Sequence, residues 1–555
     1  MTGLVTVLGS GAMSNDIEGI AGIDAMLVIG SNTTETHPVI GLRMRQAVKE
    51  HGTKIIVADP RRIKLTDHAK LWLSQKPGTD AALINAMCHV IIRDNLVDQD
   101  YVKDRTENFE AFAEAVKECT PEWAEKITGV PAADIEEAAK IYGSADRAAI
   151  YYTMGITQHT SGTDNVKSLA NLALMTGNLG KSGAGLNPLR GQNNVQGASD
   201  MACAPVFLPG YQRVDNDEAR TRFEEAWGGP LPAKVGLAAT EMSEAMLNGS
   251  LEAMWIMGEN PVMSDPNMNH AKKAFGNVKF LVVQDIFLTE TAELADVVLP
   301  AAAYAEKEGT FTNTERRVQR VRQALLPPKG ACDDLSIVQA IADRMNPDMD
   351  NTYPDDYQPG PDRMDVSTAE EVFNEIAKVW PAVAGINYKR LEGDGIQWPC
   401  PAEDHPGTPV LFEAGFPRGR ATFTPITWRN AEELPDDEYP FILTTGRVLY
   451  QYHTGTMTRR SQVLESADRG PVVEMNPDDA KRLKIKNGEQ VNVASRRGTI
   501  TLPAFVTDRI SPGVTFIPFH YKEAAANLLT NDALDPDCKI PEAKVCAVKV
   551  EKATS

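Results

Sequence analysis

The chain carries one short pattern twice. Ala25–Ile29 is an apolar run closed by Gly30-Ser31-Asn32, a helical pattern follows to about Val48, and Lys54–Ala58 is a second apolar run closed by Asp59-Pro60-Arg61-Arg62. Far downstream, Ala253–Met257 ends in Gly258-Glu259-Asn260, and Phe280–Val283 ends in Gln284-Asp285. From glycine to acid the spacing is 29 positions in the first copy and 27 in the second. Thr66, Ala69 and Leu73 continue the first copy; Thr291, Ala295 and Leu299 continue the second. Strand, tight turn, helix and strand make a βαβ unit, whose parallel strands are covered on both faces and so read as unbroken apolar runs. A chain that repeats the unit is held to two related α/β sheets.

Ligands of an open α/β sheet sit beyond the carboxyl ends of its strands. A glycine turn there admits phosphate, and an acid after the next strand takes ribose hydroxyls. One Gly-x-Asn turn is weak evidence, because many α/β proteins have one and bind no nucleotide. Two matched turns predict two related nucleotide moieties.

Between the copies, Lys76-Pro77-Gly78-Thr79-Asp80 opens a helix with Thr79 or Asp80 as N-cap and Leu83, Ile84, Met87, Ile91 and Ile92 largely on one face. Helical patterns follow near Phe109–Lys117 and Ala133–Tyr142, the latter stopped by Gly143. Ala148–Thr153 reads as a strand running into Met154-Gly155-Ile156-Thr157-Gln158, and Asn165–Met175 as a helix. The stretch Gly185–Asp200 then holds one cation, Arg190, among three glycines and five side-chain amides. Two readings stay open: a polar surface loop, or a backbone pressed against a polar ligand whose carboxylate the guanidinium grips with two parallel bonds.

Helices are expected over Asp333–Met345 and Ser367–Val379, the second with a Ser367-x-x-Glu370 capping box, and an exposed linker over Asn346–Asp362. From Pro440 the pattern is short β pieces: Phe441–Thr445, Gln490–Ser495, Ile500–Thr507 and Val514–His520, with a capped helix at Asn476 and turns at Asn487-Gly488 and Arg497-Gly498. A compact β-barrel of six strands is expected, with Thr445-Gly446-Arg447 and His453 where its first strand exits. The fold class is therefore α/β: two pseudo-equivalent doubly wound domains over 1–190 and 191–355, an irregular connecting segment over 356–437 belonging to a small discontinuous domain, and a C-terminal barrel over 438–555.

A formal charge of −20 argues against nucleic acid as a partner and suits a small anion only where a local positive pocket opposes the overall field. The apolar runs are too short and too broken to span a bilayer, so no direct membrane insertion is expected. The first residues lack the basic start and cleavage pattern of a signal peptide. Seven scattered cysteines without a C-x-x-C pair read as buried structural thiols in a reducing compartment, Cys203 included. No G-x-S-x-G elbow and no zinc-type histidine spacing is present, so hydrolase and zinc readings fail and no metal ligand is assigned. Arg316-Arg317 and Arg459-Arg460 read as solvated faces, with phosphate binding as the alternative.

Met154-Gly-Ile-Thr-Gln158, Thr176-Gly-Asn-Leu-Gly180, Gly185-Leu-Asn-Pro-Leu-Arg-Gly-Gln-Asn-Asn-Val-Gln-Gly197, Gln284-Asp-Ile-Phe287 and Ala295-Asp-Val-Val-Leu-Pro300 together resemble the catalytic (alpha) subunit of prokaryotic molybdopterin-dependent formate dehydrogenases. So does the tail, with Thr454–Arg460, Leu534-Asp-Pro and Pro541-Glu-x-Lys-x-Cys546. The resemblance covers essentially the whole chain. It implies two molybdopterin guanine dinucleotides around one molybdenum or tungsten, one on each α/β domain. It implies that Arg190 holds formate and that Gln192 contacts a pterin. Gly30, Ser31, Asn32, Glu35, Asp59, Arg61, Gly78, Thr79 and Asp80 would line one nucleotide, and Gly258, Glu259, Asn260, Gln284 and Asp285 the other. Met154, Gly155 and Gln158 would face the pterin region; Thr445, Gly446, Arg447, His453, Asn527 and Lys544 would come from the barrel. The implied reaction is oxidation of formate to carbon dioxide, or its reverse, with electrons leaving through an iron–sulfur subunit. Sister readings are an oxidoreductase of nitrate or another oxyanion, a non-catalytic scaffold relative, and a two-piece enzyme.

The same resemblance implies a 4Fe-4S cluster motif, a metal-ligating selenocysteine or cysteine and a catalytic histidine upstream of residue 1. The expectation is a selenocysteine codon read as a stop, a chain inactive alone, and a cytoplasmic location with export left open.

Overall fold

The structure, a computed structural model, describes residues 1–345 and 368–553. The chain divides into two compact units, one of residues 1–191, 261–273 and 409–555, the other of 192–260 and 274–408.

The first unit holds a five-stranded sheet of β1 (Ala25–Ile29), β2 (Lys54–Ala58), β3 (Leu71–Leu73), β4 (Ala148–Tyr152) and β5 (Gly185–Pro188). The order is β3-β2-β1-β4-β5 and every pairing is parallel. All residues of β1 and β4 are buried, as coverage on two faces requires. Helix α1 (Pro38–His51) lays Ile40, Met44 and Ala47 against Met26, Val28, Ile55 and Val57. Helix α2 (Asp80–Arg93) packs against both α3 (Ala132–Gly143) and α4 (Gly162–Met175), with α3 on β1 and β3 and α4 on β4 and β5. The chain winds outward from β1 through β2 to β3, then the other way from β4 to β5. The strand order therefore reverses between β1 and β4, which is where such sheets open a ligand site.

The second unit repeats the first half of that sheet. Its β6 (Ala253–Met257), β7 (Phe280–Asp285) and β8 (Val297–Pro300) are parallel in the order β8-β7-β6. Even the register repeats: Ala25 pairs with Lys54 and Ile56 with Leu71 in one copy, Ala253 with Phe280 and Val282 with Val297 in the other. One detail of the sequence alignment shifts. The carbonyl that accepts from Ala69 is that of Thr66, whereas Ala295 donates to Ala292, so Thr291 stands one residue out of step.

Back in the first unit, β9 (Phe441–Gly446), β10 (Val473–Met475), β11 (Gln490–Ala494), β12 (Thr499–Val506), β13 (Val514–Pro518) and β14 (Cys546–Lys552) close a barrel in the order β9-β13-β10-β12-β11-β14. Leu443, Val473, Met475, Val491, Val493, Ile517 and Val548 fill it. Asn476 caps its helix by accepting from the Asp478 N–H.

Several expectations change. Gly185–Pro188 is a buried strand, not loop, and Val195–Asp200 is a short helix. The helix ending near 143 includes Gly143 and is capped at Ser144. The expected capping box joins Thr368 and Glu371, one residue later than read from sequence; Ser367 and the Asn346–Asp362 linker lie outside the described residues. Cys203, Cys332 and Cys538 are exposed and Cys119 half-exposed, so only Cys88, Cys400 and Cys546 are buried thiols. Arg316 is no solvated face: it is fully buried and donates to the Thr408 carbonyl. Arg459 is held by Glu465 and Glu523. Among the described residues, no helix is long and apolar enough to cross a membrane.

Candidate functional site

The first cradle forms where β1 and β4 end. Gly30 has φ +55°, and a Cβ there would stand 2.7 Å from the Gly155 carbonyl carbon. That close approach lets the Gly155 N–H and the Thr153 hydroxyl both donate to the Gly30 carbonyl, at 3.1 and 2.7 Å. The turn that follows is buried but incompletely bonded: Ser31 Oγ, Asn32 Nδ2 and Thr33 Oγ1 make no hydrogen bond. Buried polar atoms are ordinarily paired, and three neighbours left open at a sheet's switch point mark a polar ligand's place.

Two buried carboxylates face the same problem. Asp59 follows β2; its Oδ1 accepts from the Arg61 N–H, yet burial pushes its pKa up to about 6. Asp80 begins α2 after Thr79, which is the N-cap residue; it accepts from Gln75 Nε2, and burial again pushes it up to about 6. Gln75 Oε1 has no partner. Ionised carboxylates there favour a ligand rich in N–H and O–H donors, the character of guanine and ribose. Gln75 was missed from sequence, although it follows β3 as Asp59 follows β2. Gly78 turns with φ +82° and its carbonyl accepts from Trp428 Nε1. Arg61 is committed to Glu474, with Nη2 at 2.8 Å from Oε1, and Glu35 lies 3.5 Å from Arg509. Met154 is exposed, and Gln158 caps its short helix.

Barrel residues join this unit's site. Buried Lys544 donates to the Thr445 carbonyl at 2.7 Å, and burial lowers its pKa to about 8. Gly446 leaves no room for a Cβ beside the Phe516 ring. Arg447 donates to the Gly191 carbonyl, and burial lowers the His453 pKa to about 4. His520, not singled out from sequence, pairs with the His453 carbonyl and accepts from the Val448 N–H. Asn527 donates to the Met263 and Ser264 carbonyls. Arg190 is half-buried: its Nη2 donates to the Gly11 carbonyl at 2.9 Å, and its own carbonyl meets His37 Nε2 at 2.6 Å.

The second unit builds its own copy. The Gly258 N–H donates to the Gln284 carbonyl as Gly30 donates to Ala58. Asn260 Oδ1 accepts from the Thr291 N–H and hydroxyl, and its Nδ2 donates to Glu290. Gln284 is fully buried, with Nε2 on Asp334 and Oε1 unpartnered. Asp285 accepts from the Ile286 N–H, Glu259 is exposed, and Gln192 is half-buried.

Gly-x-Asn turns at matching strand ends of two parallel sheets, the first with three open polar atoms and the second with Gln284 Oε1 open on its neighbouring strand, together with a closed barrel, define a dinucleotide-binding construction. The comparisons give it a name. Residues 6–344 match the family model described as Molybdopterin oxidoreductase, and 441–547 match the Molydopterin dinucleotide binding domain. The F420-dependent formate dehydrogenase subunit alpha of Methanocaldococcus jannaschii is 52% identical over 554 residues, which cover 100% of this chain and 80% of that protein. Formate dehydrogenase 1 subunit alpha of Methanococcus maripaludis is 48% identical with the same coverage. Formate dehydrogenase H of Escherichia coli is 40% identical over 99% of this chain and 76% of its own length. Acetylene hydratase from Pelobacter acetylenicus shares the fold with a TM-score of 0.76 at 21% identity, over 100% of this chain and 80% of that one. The chain belongs to the molybdopterin oxidoreductase family and, within it, to the formate dehydrogenase alpha subunits. The open polar atoms of the Ser31–Thr33 turn, and Gln284 Oε1 in the second unit, fit a molybdopterin dinucleotide.

Proposed function

We propose that this chain oxidises formate to carbon dioxide, or runs the reverse, with one guanine dinucleotide in each repeat: one on residues 1–190 and one on 191–355, with 438–555 contributing the barrel groups. The repeated Gly-x-Asn turn, with Ser31 Oγ, Asn32 Nδ2 and Thr33 Oγ1 unpartnered in the first copy and Gln284 Oε1 unpartnered on the neighbouring strand of the second, supports the reading. Ser31, Asn32, Asp59, Gly78, Thr79 and Asp80 would hold one nucleotide; Gly258–Asn260 and Gln284-Asp285 would hold the other. When bound, the cofactor would supply a molybdenum or tungsten centre able to take two electrons, with a 4Fe-4S cluster and an electron-transfer subunit as the expected recipients.

The chain's own contribution is positioning. Arg190 offers formate a planar fork that fixes both carboxylate oxygens, which a point charge does not do. Its guanidinium is steadied by Gly11 and its backbone by His37. Gln192 would contact a pterin. In an acidic chain, this local cation also supplies the positive spot that an anionic substrate needs. The test is acid release of guanine nucleotide from the purified holoenzyme, with formate-dependent dye reduction measured alongside. Two guanosine monophosphates per chain and formate-dependent turnover are expected. One nucleotide per chain, or nitrate turnover in place of formate, would overturn the proposal.

A further inference from the structure

The turn that opens the first cradle leads straight to a histidine. After Gly30-Ser31-Asn32 the chain makes one helical turn, Thr33–Thr36, and His37 follows, just ahead of Pro38 and α1. The His37 ring reaches the loop beyond β5, where Nε2 lies 2.6 Å from the Arg190 carbonyl oxygen. A carbonyl only accepts, so Nε2 carries a proton and donates. Nδ1 lies 2.8 Å from the Thr36 hydroxyl, which also stands 3.0 Å from the Asn32 carbonyl. That carbonyl already receives the Glu35 and Thr36 N–H groups, at 3.1 and 2.9 Å. Burial lowers the His37 pKa, the bond to Arg190 opposes this, and nearby Arg447 lowers it further, so the ring is neutral at pH 7. A neutral ring protonated on Nε2 has a lone pair on Nδ1, and the Thr36 hydroxyl supplies the donor. The order of bonds is thereby fixed: Thr36 O–H to Nδ1, then Nε2–H to the Arg190 carbonyl. The Leu189 N–H still donates to Tyr152 of β4; past it, the Arg190 and Gly191 carbonyls are taken by the side chains of His37 and Arg447.

We propose, on the reading that Arg190 grips formate, that His37 is a positioning residue for that substrate: its hold on the Arg190 carbonyl sets the direction in which the guanidinium leaves the loop, and Thr36 ties that direction to the turn of the first cradle. A guanidinium stands several bonds from its Cα and swings widely for a small turn of its peptide. Misplacing a reacting partner by about 1 Å costs on the order of 100-fold in rate. An imidazole bonded at both nitrogens is a strut between two main-chain segments 153 positions apart. Its contribution is aim and not charge, because the neutral ring leaves Arg190 as the local cation. Without the strut, formate should still be attracted but held at the wrong angle.

The test compares His37→Leu, His37→Gln and Thr36→Val in the purified holoenzyme, with rates expressed per guanosine monophosphate released by acid. Leucine fills the space without a donor, whereas the glutamine amide nitrogen can stand in for Nε2. His37→Leu is expected to lower kcat for formate about tenfold or more while KM changes by less than about threefold, and His37→Gln to restore most of that loss. Thr36→Val, which leaves Nδ1 bare, should fall between them. Nucleotide released per chain should stay the same in all three, because the Glu35 and Thr36 N–H bonds to Asn32 remain. A second readout needs no turnover. In the nucleotide-free chain, amide exchange across residues 187–191 should quicken about tenfold in His37→Leu and return toward wild type in His37→Gln. His51→Leu, at the exposed end of α1, should change neither readout. With an active wild type, equal kcat in His37→Leu, unchanged exchange, loss of nucleotide in step with activity, or no rescue by glutamine would each overturn the proposal alone. A wild-type holoenzyme that turned over no formate would overturn the formate reading and this proposal with it.

Discussion

Arg61 and Glu474, separated by 413 positions, meet as a buried two-point ion pair: Nε to Oε2 at 3.1 Å and Nη2 to Oε1 at 2.8 Å. The pair joins the end of β2 to β10 of the barrel, and the guanidinium lies 3.5 Å above the centre of the Phe516 ring. Removing one partner of such a pair strands the other's charge out of water. Glu474→Gln is therefore expected to cost about 3–5 kcal/mol in denaturant unfolding, and Arg61→Leu with Glu474→Leu together clearly less. Equal losses for the single and double variants would show that the pair does not act as a unit.

The duplicated glycines should respond differently to the same change. Gly30 and Gly258 both have positive φ, +55° and +63°. A Cβ on Gly30 strikes the Gly155 backbone, whereas at Gly258 it meets open space. Gly258→Ala is expected to cost only backbone strain, about 1 kcal/mol. Gly30→Ala must also push the Gly30 and Gly155 main chains apart and should cost several times more, read as the drop in Tm of each variant.

Much of this was legible in the sequence, and the reason is physical. Strands buried on both faces cannot alternate, so β1 and β2 stand out with their true ends; β6 gives the same unbroken apolar run although only Ile256 of it is buried. Strand β5 did not: glycine, asparagine and proline are poor strand formers, and Pro188 is tolerated because β5 lies at the sheet edge. Strand β10 has three residues and β14 interleaves lysines, so neither made a signal. Arg61, Lys544 and Asn527 were named from resemblance, but their partners lie in distant segments or are main-chain carbonyls, which no local pattern announces.

Asp59 and Asp80 set a pH dependence. Each has a folded pKa of about 6 against an ordinary 3.8, raised by burial. The folded state then holds protons that the unfolded state has released. Stability of the nucleotide-free chain should therefore fall as pH rises from about 4 through about 6, by roughly 3 kcal/mol per group. Asp59→Asn and Asp80→Asn should each remove a share of that slope. Urea titrations from pH 4 to 7 read it directly, and a wild-type curve rising across this window would contradict the assignment.

Lys544 works in the opposite direction and at higher pH. Its folded pKa is lowered by burial to about 8 from 10.5, so between these values the unfolded state binds the proton and the folded state does not. Stability should rise with pH across that window, and below about 8 the buried ammonium is a standing cost. Lys544→Met should thus raise the Tm of the nucleotide-free chain at neutral pH, although the bond to Thr445 is lost.

Arg190→Lys separates grip from charge. Lysine keeps the cation but offers a single point in place of a planar fork, so formate would be attracted yet turn on one oxygen. In the holoenzyme kcat/KM for formate is expected to fall about 100-fold or more, because misplacing the reacting atoms is penalised in the transition state as well as in binding. The guanine nucleotide released per chain should stay the same, since lysine keeps a cation next to the Gly11 carbonyl that Arg190 Nη2 meets. A variant that lost nucleotide in parallel with activity would place Arg190 in the cofactor's hold instead of the substrate's.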